Sequence, residues 1–164
     1  MGAINFFSEE IEFVLKRKRL QRAWLEQCIR LEKKQLVAVS FLFCSDSYLL
    51  GINKKYLKHD TLTDTVSFNY SEEAKKIEGD IYISVERVLE NSAKFSDSFE
   101  EEISRVMIHG VLHLCGYNDK PLKQRVAMKK KEDRYLTLQK TMFHVKPKNV
   151  RAIVPRGTIK KKYV

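Results

Sequence analysis

The sequence predicts an α/β (α+β) domain, a single small mixed sheet of about four strands flanked by about five helices, with a metal site on a buried helix and the loop after it. Three observations lead there. Segments of strand and helix type alternate early and give way to helices late, in the order strand, helix, strand, helix, two strands, three helices, which suits one helix-covered sheet better than two domains. A chain of 164 residues fits one domain and buries enough apolar surface to fold without a disulfide or a metal. With 43% hydrophobic and 32% charged residues, the composition is that of an ordinary globule and sets aside disorder and membrane spanning.

No residues are assigned to the opening strand. Within 16–34, Trp24, Cys28 and Leu31 recur at helical spacing while the other face carries basic residues, so this is a surface helix. From Leu36 to Cys44 the chain is apolar and rich in β-branched and aromatic residues, which predicts a buried strand. Ser45, Asp46 and Ser47 offer an N-cap for a helix running to about Tyr56, followed by a polar loop from Lys58 to Asp60. Strands are expected from Thr61 to Tyr70 and from Asp80 to Val85, with the charged stretch from Ser71 to Gly79 as their connector. Helices follow from Val85 to Phe95, from Phe99 to Cys115 and from Pro121 to about Phe143. Residues 1–146 make the domain, and 147–164, with six basic residues and no acid, read as a basic flexible extension.

A net charge of +10 would draw in a polyanion such as RNA or an acidic membrane face, although a merely soluble basic surface has the same composition. No apolar run reaches the roughly 20 residues needed to cross a bilayer, and the first twelve residues carry acids where a signal peptide is basic and then apolar. The expected location is the cytoplasm, with no membrane partner. Cys28, Cys44 and Cys115 are too few and too far apart for a disulfide framework or a metal knuckle, and read as buried thiols.

The chemistry concentrates in one helix. Ser98 and Glu101 form a capping-box pair at its start. From Val106 to Cys115 it is apolar almost all round, interrupted only by His109 and His113. Four residues apart, these project from one face, a turn apart, and can converge on one small ion. Burying two imidazoles is unfavourable unless each has a partner. Gly116 ends the helix in a left-handed turn and brings Asp119 back toward the pair. Two imidazoles and a carboxylate supply three positions of tetrahedral zinc and leave the fourth open, as a catalytic site requires. Asp119 also reads as an N-cap of the helix that starts at Lys120 and Pro121, and both readings stand. Cys115, about 200° round the helix from His113, is a poor ligand. Zinc proteases place a general-base glutamate directly after the first histidine; here that residue is Gly110.

These residues resemble the YbeY family of metal-dependent endoribonucleases, whose signature is H-G-x-L-H-L-x-G-Y-D-H. The run from His109 through Tyr117 matches it position for position. Two further blocks are similar: Ile52 and Asn53 through Tyr56 to Asp60, Thr63, Asp64, Ser67 and Phe68, and then Gly79 to Ser84. The resemblance implies a small mixed sheet with helices, one zinc ion held by His109, His113 and Asp119, and cleavage of single-stranded RNA in small-subunit ribosomal RNA maturation and ribosome quality control. His109 and Lys58 are then the catalytic candidates, Lys54, Lys55, Thr63, Asp64 and Ser67 the substrate-binding ones. Asp80 is expected either to cap the turn after Gly79 or to orient a ligand from behind.

Three departures stand out. The third family histidine is Asp119, which places a negative charge at the metal. The family arginine after the tyrosine is Leu57, leaving the phosphate grip to Lys58 or to Lys54 and Lys55, point charges rather than forks. The family prolines near the third strand are Leu62 and Asn69. The first departure keeps an oxygen ligand; the second favours a competing reading, a non-catalytic ribosome-assembly factor with a structural metal. A metalloprotease is the third reading, and Gly110 counts against it.

Overall fold

The computed structural model describes residues 2–57, 63–95 and 97–144. Lys58 and the segment 147–164 lie outside the described residues. Strand β1 (Ala3–Glu9) leads to helix α1 (Lys18–Leu31), then strand β2 (Gln35–Cys44) and helix α2 (Asp46–Ile52), which runs on as a π-helical turn over Asn53–Leu57. Strands β3 (Thr65–Asn69) and β4 (Lys76–Ser84) follow, and helices α3 (Val85–Lys94), α4 (Phe99–Leu114) and α5 (Leu122–His144) complete the order. One four-stranded sheet has the order β1-β2-β4-β3. Its β1–β2 and β2–β4 pairs are parallel, and β3 is antiparallel to β4. The predicted mixed sheet with five helices is what the described residues form.

The expected boundaries of β3 and β4 move: among the described residues β3 begins at Thr65 and ends at Asn69. β4 begins at Lys76, so residues assigned to a charged connector are strand: Lys76, Glu78 and Asp80 alternate with buried Ile77, Gly79 and Ile81, a period of two with one polar face. β1, left unassigned in the sequence, is an edge strand in which only Ile4 is buried.

The core lies between the sheet and α1, α4 and α5. Trp24 is fully buried and its indole N–H donates to the Tyr135 carbonyl at 2.8 Å, tying α1 to α5. α4 is buried on most sides, as its apolar run requires. It sits close on β4 because Gly110 has no side chain: a Cβ there would meet Ile81 Cγ2 at 2.7 Å. Ser98 caps α4, its hydroxyl accepting from the Glu101 amide at 3.0 Å, while the Glu101 carboxylate pairs with Lys140 on α5 at 3.7 Å. Within the described residues, no helix is long and apolar enough to cross a membrane.

The three thiols behave as expected of a core. Cys28 and Cys44 are buried and Cys115 half-buried; burial pushes Cys44 and Cys115 up to about 12, so neither is a thiolate at neutral pH.

Candidate metal centre

At the C-terminal end of α4 the chain reverses through Gly116, at φ 108°, with the Gly116 amide donating to the His113 carbonyl and the Tyr117 amide to that of Leu112. The reversal carries Asp119 back over the helix. His109 Nε2 and His113 Nε2 are 3.0 Å apart, and Asp119 Oδ2 lies 3.2 Å from the first and 3.5 Å from the second. A circle through three atoms at these separations has a radius of about 1.9 Å, just inside the ~2.0–2.1 Å of a zinc–nitrogen or zinc–oxygen bond. The three atoms could therefore hold one zinc-sized ion together. α5 begins only at Leu122, and Asp119 turns its carboxylate to the imidazoles.

The far nitrogens explain why these lone pairs converge. His113 Nδ1 is 2.9 Å from the Tyr117 carbonyl oxygen, which can only accept, so the proton sits on Nδ1 and Nε2 is left with its lone pair. His109 Nδ1 is 2.6 Å from Glu132 Oε2 on α5. With their ring protons on Nδ1, the two Nε2 atoms and the Asp119 oxygen, all within 3.5 Å of one another, form a donor set that suits a divalent cation. These three residues also form the one cluster of potential metal ligands among the described residues. Electrostatics separates the two imidazoles. Burial opposes the charged form of His109, but Glu132 and Asp119 outweigh it and raise its affinity for a proton; burial and the neighbouring His109 lower that of His113.

The ion position opens into a cleft of about 610 Å³ whose walls include Asn53, Thr63, Asp64, Ser67, Asn69 and Lys120. Of the substrate-binding candidates, Thr63, Asp64 and Ser67 line it. The Thr63 hydroxyl is engaged locally, donating to the Thr65 carbonyl at 3.3 Å. Ser67 Oγ is buried and has no hydrogen-bond partner among the described residues, as suits a group awaiting a ligand. Burial raises the Asp64 carboxyl, with His109 acting against it. Lys54 and Lys55 are exposed on the π-helical turn and outside this lining, which takes Asn53 from that turn.

Asp80 corrects the sequence reading. Strand alternation puts it on the sheet face opposite Gly79 and Ile81, which pack on α4, and its Oδ2 accepts from the Tyr70 hydroxyl at 2.9 Å. The partner behind a ligand is Glu132, which sequence reasoning missed. Its signal was a glutamate within the buried stripe Met128, Glu132, Tyr135, Leu136 and Gln139 of α5. A second missed carboxylate, Glu32, accepts from the Tyr117 hydroxyl at 2.7 Å, from Lys131 Nζ at 2.9 Å and from the Tyr135 hydroxyl, pinning the ligand loop to the core.

With this geometry in view, similarity to known proteins decides the family. The family model described as Endoribonuclease YbeY matches residues 4–140. The chain belongs to the YbeY family. Relatives named Endoribonuclease YbeY include those of Christiangramia forsetii, 47% identical over 88% of this chain and 96% of the relative, and Flavobacterium psychrophilum, 49% identical over 85% and 96%. A YbeY relative from Amoebophilus asiaticus is 48% identical over 81% of this chain and 90% of its own. Among solved structures, the solution structure of a Thermotoga maritima protein aligns with a TM-score of 0.62 at 27% identity, covering 86% of this chain and 91% of that one.

Proposed function

We propose that this YbeY-family chain is a metal-dependent endoribonuclease specific for single strands, acting in the cytoplasm on small-subunit ribosomal RNA during maturation and ribosome quality control. One observation carries the reading: two imidazole nitrogens and a carboxylate oxygen converge to 3.0–3.5 Å at the floor of a polar cleft. Bound there by His109, His113 and Asp119, a divalent ion, zinc by its donor set, would supply Lewis-acid polarisation of the scissile phosphodiester. The chain's own groups position the substrate. Ser67 Oγ and Asn69 offer hydrogen bonds along one wall, and Lys120, beside Asp119, offers a cation to a phosphoryl oxygen gaining negative charge. Lys54 and Lys55 add positive charge on the exposed π-helical turn, and the surplus of 31 Lys and Arg over 21 Asp and Glu draws RNA to the surface. Residues 1–146 form one catalytic domain.

The experiment compares wild type with His113→Ala for bound metal and for cleavage of single-stranded RNA and casein. Wild type should carry one ion and cut RNA but not casein, and the variant should do neither. Metal bound without RNA cleavage under any condition supports the second reading, a non-catalytic assembly factor, which Leu57 at the family arginine position favours. Gly110 faces Ile81 with no room for a base, which disfavours proteolysis.

A further inference from the structure

Glu132 stands out as a buried carboxylate far from solvent and far in sequence from what it touches. Its side chain is 9% exposed, and a carboxylate so placed is costly unless its oxygens are matched. Oε1 accepts from Arg105 Nη1 at 3.0 Å, and Oε2 is 2.6 Å from His109 Nδ1. The second guanidinium nitrogen of Arg105 reaches Asp133 at 2.8 Å, so the arginine forks between neighbouring acids on α5. Arg105 precedes His109 by four residues on α4, one turn back. The two helices are thus joined by a chain of groups ending at an imidazole.

We propose that Glu132 is the positioning residue of the metal centre: it holds the His109 proton on Nδ1, fixes the ring's rotation and thereby sets how tightly the centre grips its ion. The inference rests on the metal-centre reading above and adds a residue to it. If Glu132 only joined α4 to α5, its bond to Arg105 would suffice. The second oxygen instead faces the one ring nitrogen that cannot reach the cleft while Nε2 does. A carboxylate acceptor there holds the proton of the neutral ring on Nδ1, leaves the lone pair on Nε2, increases the electron density of the ring and opposes its flipping. Arg105 donates to the other oxygen, so both oxygens of Glu132 have a partner. Asp133, 52% exposed and bonded to the same arginine, makes no contact with either imidazole, so it provides an internal control.

The test uses the full chain as wild type, Glu132→Gln, Glu132→Asp and Asp133→Asn. Zinc affinity is read by competition with a chelator of known affinity, and the His109 tautomer by nitrogen NMR of the metal-free protein. Glu132→Gln should bind zinc some 10- to 100-fold more weakly. Its His109 should show mixed tautomers where wild type shows one. Glu132→Asp should recover part of the affinity, and Asp133→Asn should match wild type. A Glu132→Gln protein with wild-type zinc affinity, or with an unchanged His109 tautomer, overturns the proposal; so does an equal loss in Asp133→Asn, which would signal a general loosening of α4 against α5. If wild type takes up no zinc, the metal-centre reading fails, and the tautomer measurement still decides whether Glu132 governs His109.

Discussion

His109 and His113 stand one turn apart on the same face of α4, and their supports come from different parts of the molecule. His109 leans on a buried carboxylate of α5, itself clamped by Arg105, so its support is ionic and helix-borne. His113 leans on the carbonyl of Tyr117, a neutral dipole on the loop that also delivers Asp119. That loop is secured at a distance, by the Tyr117 hydroxyl on Glu32 at the end of α1. The two imidazoles accordingly shift in opposite directions: burial disfavours the charged form of both, but Glu132 and Asp119 outweigh it at His109, whereas at His113 burial and the neighbouring His109 prevail over Asp119 and the Tyr117 carbonyl. His109 is braced by a second helix, whereas Asp119 sits on the loop and the His113 ring, though borne by α4, takes its brace from that loop.

The largest expected effect comes from removing that fastening. Glu32 is 5% exposed and receives three donors, so Glu32→Ala leaves two hydroxyls and an ammonium unmatched and should cost about 3 kcal/mol of stability. Zinc binding should weaken through Asp119 and His113 while the His109 tautomer stays as in wild type; a changed tautomer would erase the distinction between the two supports. A smaller contrast separates His109→Ala from His113→Ala in metal-free protein. The first strands a buried Glu132 oxygen, at roughly 1–3 kcal/mol, whereas the second frees a loop carbonyl that water can reach, at less than about 1 kcal/mol. Urea denaturation would show it, and equal losses would break the comparison.

The smallest effect is a pH dependence. Burial disfavours ionised Glu32, but its bonds from Tyr117, Tyr135 and Lys131 outweigh that and hold its carboxyl below the usual 4.5. A folded value below the unfolded one means the carboxylate's contribution is complete above about 4.5 and is lost as pH falls through the depressed value. Wild-type stability should therefore fall more steeply below about pH 4.5 than that of Glu32→Gln, with the two curves parallel at higher pH.

What the sequence revealed of this arrangement followed from local patterning. The helix of His109 and His113 was legible because two imidazoles that interrupt a buried apolar run must each find a partner, and Gly116 marked its end. β2 was legible as a continuous apolar run, and its neighbour's first residues were not, because Lys76 and Glu78 point off the open face and mimic a loop. Glu132 and Glu32 were hidden for a different reason. Their partners lie 23 and 85 residues away, and nothing in local sequence marks which acid a tertiary fold will bury. Asp80 shows the converse: a short motif neighbour of Gly79 that the strand's alternation turns to the far face of the sheet.

The seat of α4 on β4 also bears on how this centre is separated, in mutational terms, from peptide-cleaving ones. A zinc protease differs at position 110 by a glutamate, but any Cβ there meets Ile81 Cγ2 at 2.7 Å. A lone substitution at 110 would force the helix off the strand and disturb both ligands it carries. The change becomes tolerable only with a second, volume-reducing substitution at Ile81 on another element. Drift by single steps is therefore blocked from both directions: the first change alone destabilises the protein, and the second alone leaves a hole beside a glycine.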